Sequence, residues 1–168
     1  MKRIIFLAIV WVGVCFSGIG QISKSITTRQ SDFKIAKTGE YDKILLDNVF
    51  YTNIVGQPEL PVYFQSFVIP IDAQINGVTV NRVNKQKLPG TYYIHPVQPP
   101  TPISLEDSVS DFELLDPAIY NSAMPYPGKQ AEIISDEIYL GYRIVTVRSY
   151  PVEYHPQAKE LYTCNMNF

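Results

Sequence analysis

An all-β fold, an antiparallel β-sandwich of jelly-roll-like form, is predicted by three features of this 168-residue sequence. About nine short segments alternate apolar and polar residues, and turn signals recur roughly every 8–12 residues. No apolar period lasts the three turns that a stable helix would need. Twelve tyrosines and eight phenylalanines suit sheet faces, where rings pack against neighbouring strands.

Residues 1–20 read as an export signal. Lys2 and Arg3 precede an apolar run from Ile4 to Phe16, and Ser17-Gly18-Ile19-Gly20 sets small residues before a cut between Gly20 and Gln21. The run is shorter than the roughly 18–20 residues of a spanning helix, so no stable membrane anchor is expected after cleavage. Val14 stands where a small residue would precede a lipidated Cys15. A secreted location follows, in the periplasm, at the cell surface or outside the cell.

Residues 21–31 read as a flexible lead-in and residues 32–168 as a single domain. Strands are expected at Asp32–Lys37, Tyr41–Leu46 and Val49–Thr52. Gly56-Gln-Pro-Glu-Leu-Pro61 is a rigid corner, because Pro58 and Pro61 fix φ and remove two donors. Val62–Ile69 is a dense strand, with Tyr63, Gln65 and Phe67 facing opposite to Phe64, Ser66 and Val68. Ile75–Val83 reads as a strand with a bulge or turn at Asn76-Gly77. Lys85–Gly90 reads as a loop and Thr91–Val97 as a strand.

From Gln98 to about Gln130 the chain is irregular, proline-rich and acidic, with room for one helical turn at Asp116–Tyr120. Ile133–Leu140, Arg143–Arg148, Ser149–Tyr154 and Glu160–Cys164 close the domain, leaving a sheet edge near Glu160–Phe168.

Fourteen basic residues against sixteen acids give a net charge of −2. Removing residues 1–20 takes away Lys2 and Arg3 and no acid, leaving −4. That mild acidity gives no electrostatic reason to expect a nucleic-acid partner. Only Cys164 remains after cleavage, so no disulfide forms within the exported chain, and apolar burial must hold it together.

Catalytic chemistry is thinly supplied. His95 and His155 are the only imidazoles, and Cys164 with His155 the only nearby thiol–imidazole pair, nine residues apart across a turn. Core thiol and surface imidazole is the plainer reading. Glu106, Asp107, Asp111, Glu113 and Asp116 lack the turn glycine of tight calcium loops and read as a solvated segment. No cofactor and no enzymatic activity are expected.

Five motifs run in order along the chain. These are Gly56-Gln-Pro-Glu-Leu-Pro61, His95-Pro-Val-Gln-Pro-Pro100, Tyr126-Pro127-Gly128, Gly141-Tyr-Arg143, and Tyr150-Pro151-Val-Glu-Tyr154 followed by Pro156. Together they resemble the N-terminal prodomain of gingipain-type cysteine peptidases, over roughly residues 33–163. The resemblance implies a domain that keeps a caspase-like catalytic domain latent and assists its folding during export by the type IX route. It implies a cognate gingipain-type peptidase as partner. The catalytic domain lies outside this sequence, which reads as a truncated or stand-alone version.

For a peptidase specific for basic residues, the natural anchor is a lysine or arginine entering an acidic pocket. Lys85, Lys87 and Lys129 are the candidate contacts. The glycines, prolines and tyrosines of the five motifs read as architecture, with the Tyr150 and Tyr154 hydroxyls reaching the sheet rim. The alternative is a β-sandwich binding module whose tyrosine-rich face holds polysaccharide or another cell-surface partner.

Overall fold

A computed structural model describes residues 23–100 and 112–168. The expected signal segment with its Gly20–Gln21 cut lies outside the described residues, as do Glu106, Asp107 and Asp111. Within them the chain is almost all β, with antiparallel sheets in a sandwich-like arrangement.

One sheet is built on β5 (Pro61–Ile69), β7 (Ala131–Tyr139) and β8 (Tyr142–Ser149), in the order β5-β8-β7, with β4 (Phe50–Tyr51) at the outer side of β5. The expected alternation holds in β5. Tyr63, Gln65 and Phe67 are half-covered, while Phe64, Ser66 and Val68 are exposed. Opposite Tyr63 and Gln65 stand Ser149 and Val147, both buried, so this face points inward. Pro61 begins the strand, where its missing N–H breaks no ladder bond.

A second sheet centres on β10 (Glu160–Asn167). β6 (Asn81–Lys87) pairs along one edge, and β9 (Val152–His155) and β1 (Ser25–Ile26) pair end to end along the other. A hairpin of β2 (Lys34–Thr38) and β3 (Tyr41–Leu45) completes the strands. The one α-helical turn among the described residues, α1 (Pro117–Tyr120), forms where expected. Asp116 caps it by accepting from the Ala118 N–H at 2.9 Å, and Pro117 fills the first position, which has no donor to lose.

Five expectations are corrected. The strand placed at Ile75–Val83 forms later, as β6, because residues 75–80 pair with no other strand. Lys85 and Lys87, placed in a loop, therefore lie inside β6. Asn81–Lys87 is polar at nearly every position, so its pairing leaves no apolar signal; lysines on an edge strand also hinder stray pairing. Thr91–Val97 makes only isolated bridges, Ile94 to Asp42 and Pro96 to Pro58, since Pro96 cannot donate to a ladder. The lead-in is partly pinned, with Ser25 and Ile26 paired to Asn167 and Met166 and the Thr28 hydroxyl donating to the Cys164 carbonyl at 3.0 Å. Glu160–Asn167 is the centre of its sheet rather than an edge.

The main core cluster joins β3, the Gly56–Pro61 corner, residues 88–94, α1, β9 and β10: Ile44, Leu60, Leu88, Ile94, Tyr120, Val152, Tyr154 and Leu161 are buried together. The Gly56–Pro61 corner is locked into it. Thr52 donates its hydroxyl to the Pro58 carbonyl at 2.7 Å and accepts from the Leu60 N–H at 2.9 Å. Gly56 has φ +81°, and a Cβ there would stand 3.2 Å from the Leu114 carbonyl, so backbone freedom is required at this point.

Candidate functional site

The three candidate lysines sit in different surroundings. Lys85 projects from β6 onto the Glu153 carboxylate and lies 4.6 Å from the centroid of the Tyr162 ring. Glu153 is buried and also receives Arg82 and the Nε2 of His155. Burial pushes its carboxyl upward, but hydrogen bonds from Lys85 and His155, with the charges of Lys85 and Arg82, outweigh this and hold it low. Lys87, at the end of the same strand, pairs with Glu160. Both lysines are thus spoken for within a regular sheet.

Lys129 is different. It follows a cis Tyr126–Pro127 bond and Gly128, whose φ is +75°, and it precedes β7. Backbone bonds between Tyr126 and Tyr154, 2.8 and 2.9 Å, fasten this corner to β9. Its ammonium lies 5.8 Å from the Tyr150 ring centroid and pairs with Glu132. Glu132 does not depend on it, because Arg148 and the Tyr150 hydroxyl (2.6 Å) share its other oxygen. Burial raises the Glu132 carboxyl, yet these three donors bring it down to about 2.

Lys129 stands on the rim of a cleft of about 360 Å³ lined also by Thr52, Gln57, Met124, Tyr126 and Arg148. The Tyr126 hydroxyl donates across it to Gln57 Oε1 at 3.0 Å, and burial pushes that phenol up to about 12. Sequence reasoning singled out Lys129 as a candidate and gave no sign of its neighbours Glu132 and Arg148. Their pairing crosses from β7 to β8, where Glu132 stands opposite Arg148, and no local motif announces it.

Cys164 and His155 do not meet as a dyad. Cys164 donates weakly to the Pro151 carbonyl at 3.4 Å, and burial raises its thiol, whereas His155 faces Glu153 and Tyr162. His95 is buried edge-on to Tyr41 and Phe112, and burial together with the Lys43 charge lowers its basicity. Asp116 is spent on its helix cap.

The motif residues are distributed as architecture. Pro58, Pro61, Pro151 and Tyr154 are fully buried, Pro156 is buried in the turn after β9, and Gly141 turns the β7–β8 hairpin. Arg143 donates to Asp136 and to the carbonyls of Ile71 and Ala73, tying a turn to that hairpin. One detail is corrected: the hydroxyl of Tyr154 does not reach the rim, whereas that of Tyr150 reaches Glu132 on the outer strand β7. Tyr154 donates inside the core to the Tyr92 carbonyl. Tyr92, Tyr120, Tyr150 and Tyr154 all lie in the interior, so these four make no ligand-holding face.

The sequence profile of a family described as Propeptide_C25 matches residues 26–165. Among solved structures, one of gingipain K from Porphyromonas gingivalis, concerned with its zymogenic latency, superposes with a TM-score of 0.57 at 19% identity, covering 80% of this chain and 78% of that one. The complex of the pro- and mature domains of RgpB from the same organism gives a TM-score of 0.60 at 17% identity, covering 86% and 83%. No curated protein sequence matches significantly. At these identities the structural likeness establishes the fold.

Proposed function

The chain belongs to the Propeptide_C25 family, and from this we propose that it is an exported propeptide-like domain that keeps a gingipain-type cysteine peptidase latent and assists its folding. It acts by covering the partner's substrate cleft. The observation that carries this reading is the family match over residues 26–165, which takes in every strand but the first residue of β1 and the last two residues of β10. The superposition on a complex of pro- and mature domains supports a peptidase as the partner.

Lys129 is the anchor. All three side chains are about half-exposed, and its loop position favours Lys129 over Lys85 and Lys87, which are held in β6. Leaving Glu132 to enter an acidic pocket removes one of that carboxylate's donors, and Arg148 and Tyr150 keep it satisfied, so release costs little. A standard interface of roughly 800 Å² per partner with one or two buried anchors is sufficient for tight inhibition.

The test adds the purified exported chain to a panel of gingipain-type catalytic domains, those of RgpB and gingipain K included, and follows peptide hydrolysis. Stoichiometric loss of activity in at least one is expected. Full activity of all of them at micromolar chain would overturn the reading.

A further inference from the structure

The β7–β8 hairpin ends in a two-residue loop. Tyr139 pairs with Tyr142, and the residues between them, Leu140 and Gly141, have φ of +49° and +83°. Positive φ at both central positions is the type I′ turn, which favours Asn-Gly, Asp-Gly or Gly-Gly. Leucine is a poor choice there, since its Cβ crowds the carbonyl in the left-handed region. Nor does packing recover the loss, because Leu140 is 80% exposed, beside Ile138 at 62%, Tyr139 at 65% and Tyr142 at 63%.

Two further apolar residues join them. Val68, opposite Ile144 in the register, and Ile71, whose carbonyl Arg143 holds, are both exposed. Turn preference thus disfavours Leu140, and solvent exposure disfavours all six of these side chains, in the isolated domain. A contact outside it is what would offset them.

The charges around the tip identify the kind of surface it fits. Among residues 67–80 and 135–144, Arg143 is the one cation, and Asp136 neutralises it. Asp72 and Glu137 are exposed and uncompensated by any neighbour in those segments. An apolar tip with an acidic rim is repelled by an anionic bilayer and by a second copy of itself. It complements an apolar recess bordered by lysine or arginine. Nine residues of β7 separate Lys129 from the tip, roughly 30 Å at strand rise, which is about the width of one standard interface.

We propose that Leu140 and its neighbours at the hairpin tip are a second anchor, seating in a basic-rimmed apolar recess on the same peptidase domain. This rests on the latency reading above and adds a contact that does not enter the substrate cleft. Leu140→Asn is the discriminating variant, because Asn-Gly suits the turn better than Leu-Gly.

The experiment measures thermal unfolding of the full exported chain and its dissociation constant for a catalytic domain that it inhibits. The expected result is an unchanged or higher melting temperature together with binding weakened at least tenfold. Ile138→Thr, which keeps β-branching in the strand, should weaken binding in the same sense. Equal binding by L140N and wild type overturns the second anchor while leaving latency intact. A lowered melting temperature in L140N also overturns it, by making the role structural. Inhibition of no catalytic domain removes the latency reading and the anchor with it. Capture by neutral phosphatidylcholine vesicles, or dimerisation abolished by L140N, would assign the tip to lipid or to self-association instead.

Discussion

The hydroxyl of Tyr154 donates to the backbone carbonyl of Tyr92 at 3.0 Å, joining strand β9 to the bridged segment beneath it. Tyr154 has no exposed surface, and burial pushes its phenol up to about 12. The Tyr120 hydroxyl makes the companion bond to the Ile94 carbonyl at 2.7 Å. Two buried phenols therefore satisfy carbonyls of a segment that pairs only through isolated bridges. Tyr154→Phe should lower unfolding free energy by about 1 kcal/mol, and Tyr154→Ala by about 3–5 kcal/mol, as read from urea denaturation.

Lys129→Ala should raise the inhibition constant for a sensitive peptidase at least tenfold, which corresponds to about 1.4 kcal/mol. Stability should stay nearly unchanged, since an exposed pair such as Lys129–Glu132 contributes no more than about 1 kcal/mol. An unchanged inhibition constant would eliminate Lys129 as the anchor.

Acid should weaken the fold through Glu132. Its carboxyl is depressed from 4.5 to about 2, so its contribution is complete above about pH 4.5 and disappears as pH falls through 2. Glu153, depressed in the same direction, adds to the slope. Glu132→Gln should flatten the decline in unfolding free energy between pH 5 and pH 2, as measured by urea titrations at fixed pH.

Gly56→Ala should destabilise the domain by about 1–2 kcal/mol from the left-handed backbone alone, with more from the Leu114 carbonyl 3.2 Å from the new methyl. Calorimetry on the variant would show a lower melting temperature with the far-ultraviolet β signal retained.

Strands with an apolar rhythm were legible in the sequence. β5, β7 and β8 appeared within two residues of their bounds, and so did the α1 turn, because Asp116-Pro117 carries its own capping chemistry. β6 was not, since Asn81–Lys87 is held by backbone pairing and by cross-strand ions rather than by a buried stripe. Of the site, Lys129 was visible as a cation beside a Tyr-Pro-Gly corner. Glu132 and Arg148 became its neighbours only once the β7–β8 register was known. Leu140 was invisible for another reason: an apolar residue in a strand-like run shows its cost only when its φ is seen.

The central position of β10 bears on how such a chain comes to be folded. Its partners β1, β6 and β9 all precede it in sequence, and residues 160–167 are the template that each of them needs. A chain made from its amino end leaves β1, β6 and β9 without their ladder partner until residues 160–167 have been added. Closure of that sheet is deferred by topology, because β1 and β6 find their partner only in a segment far along the chain, and non-local pairing of this kind is slow.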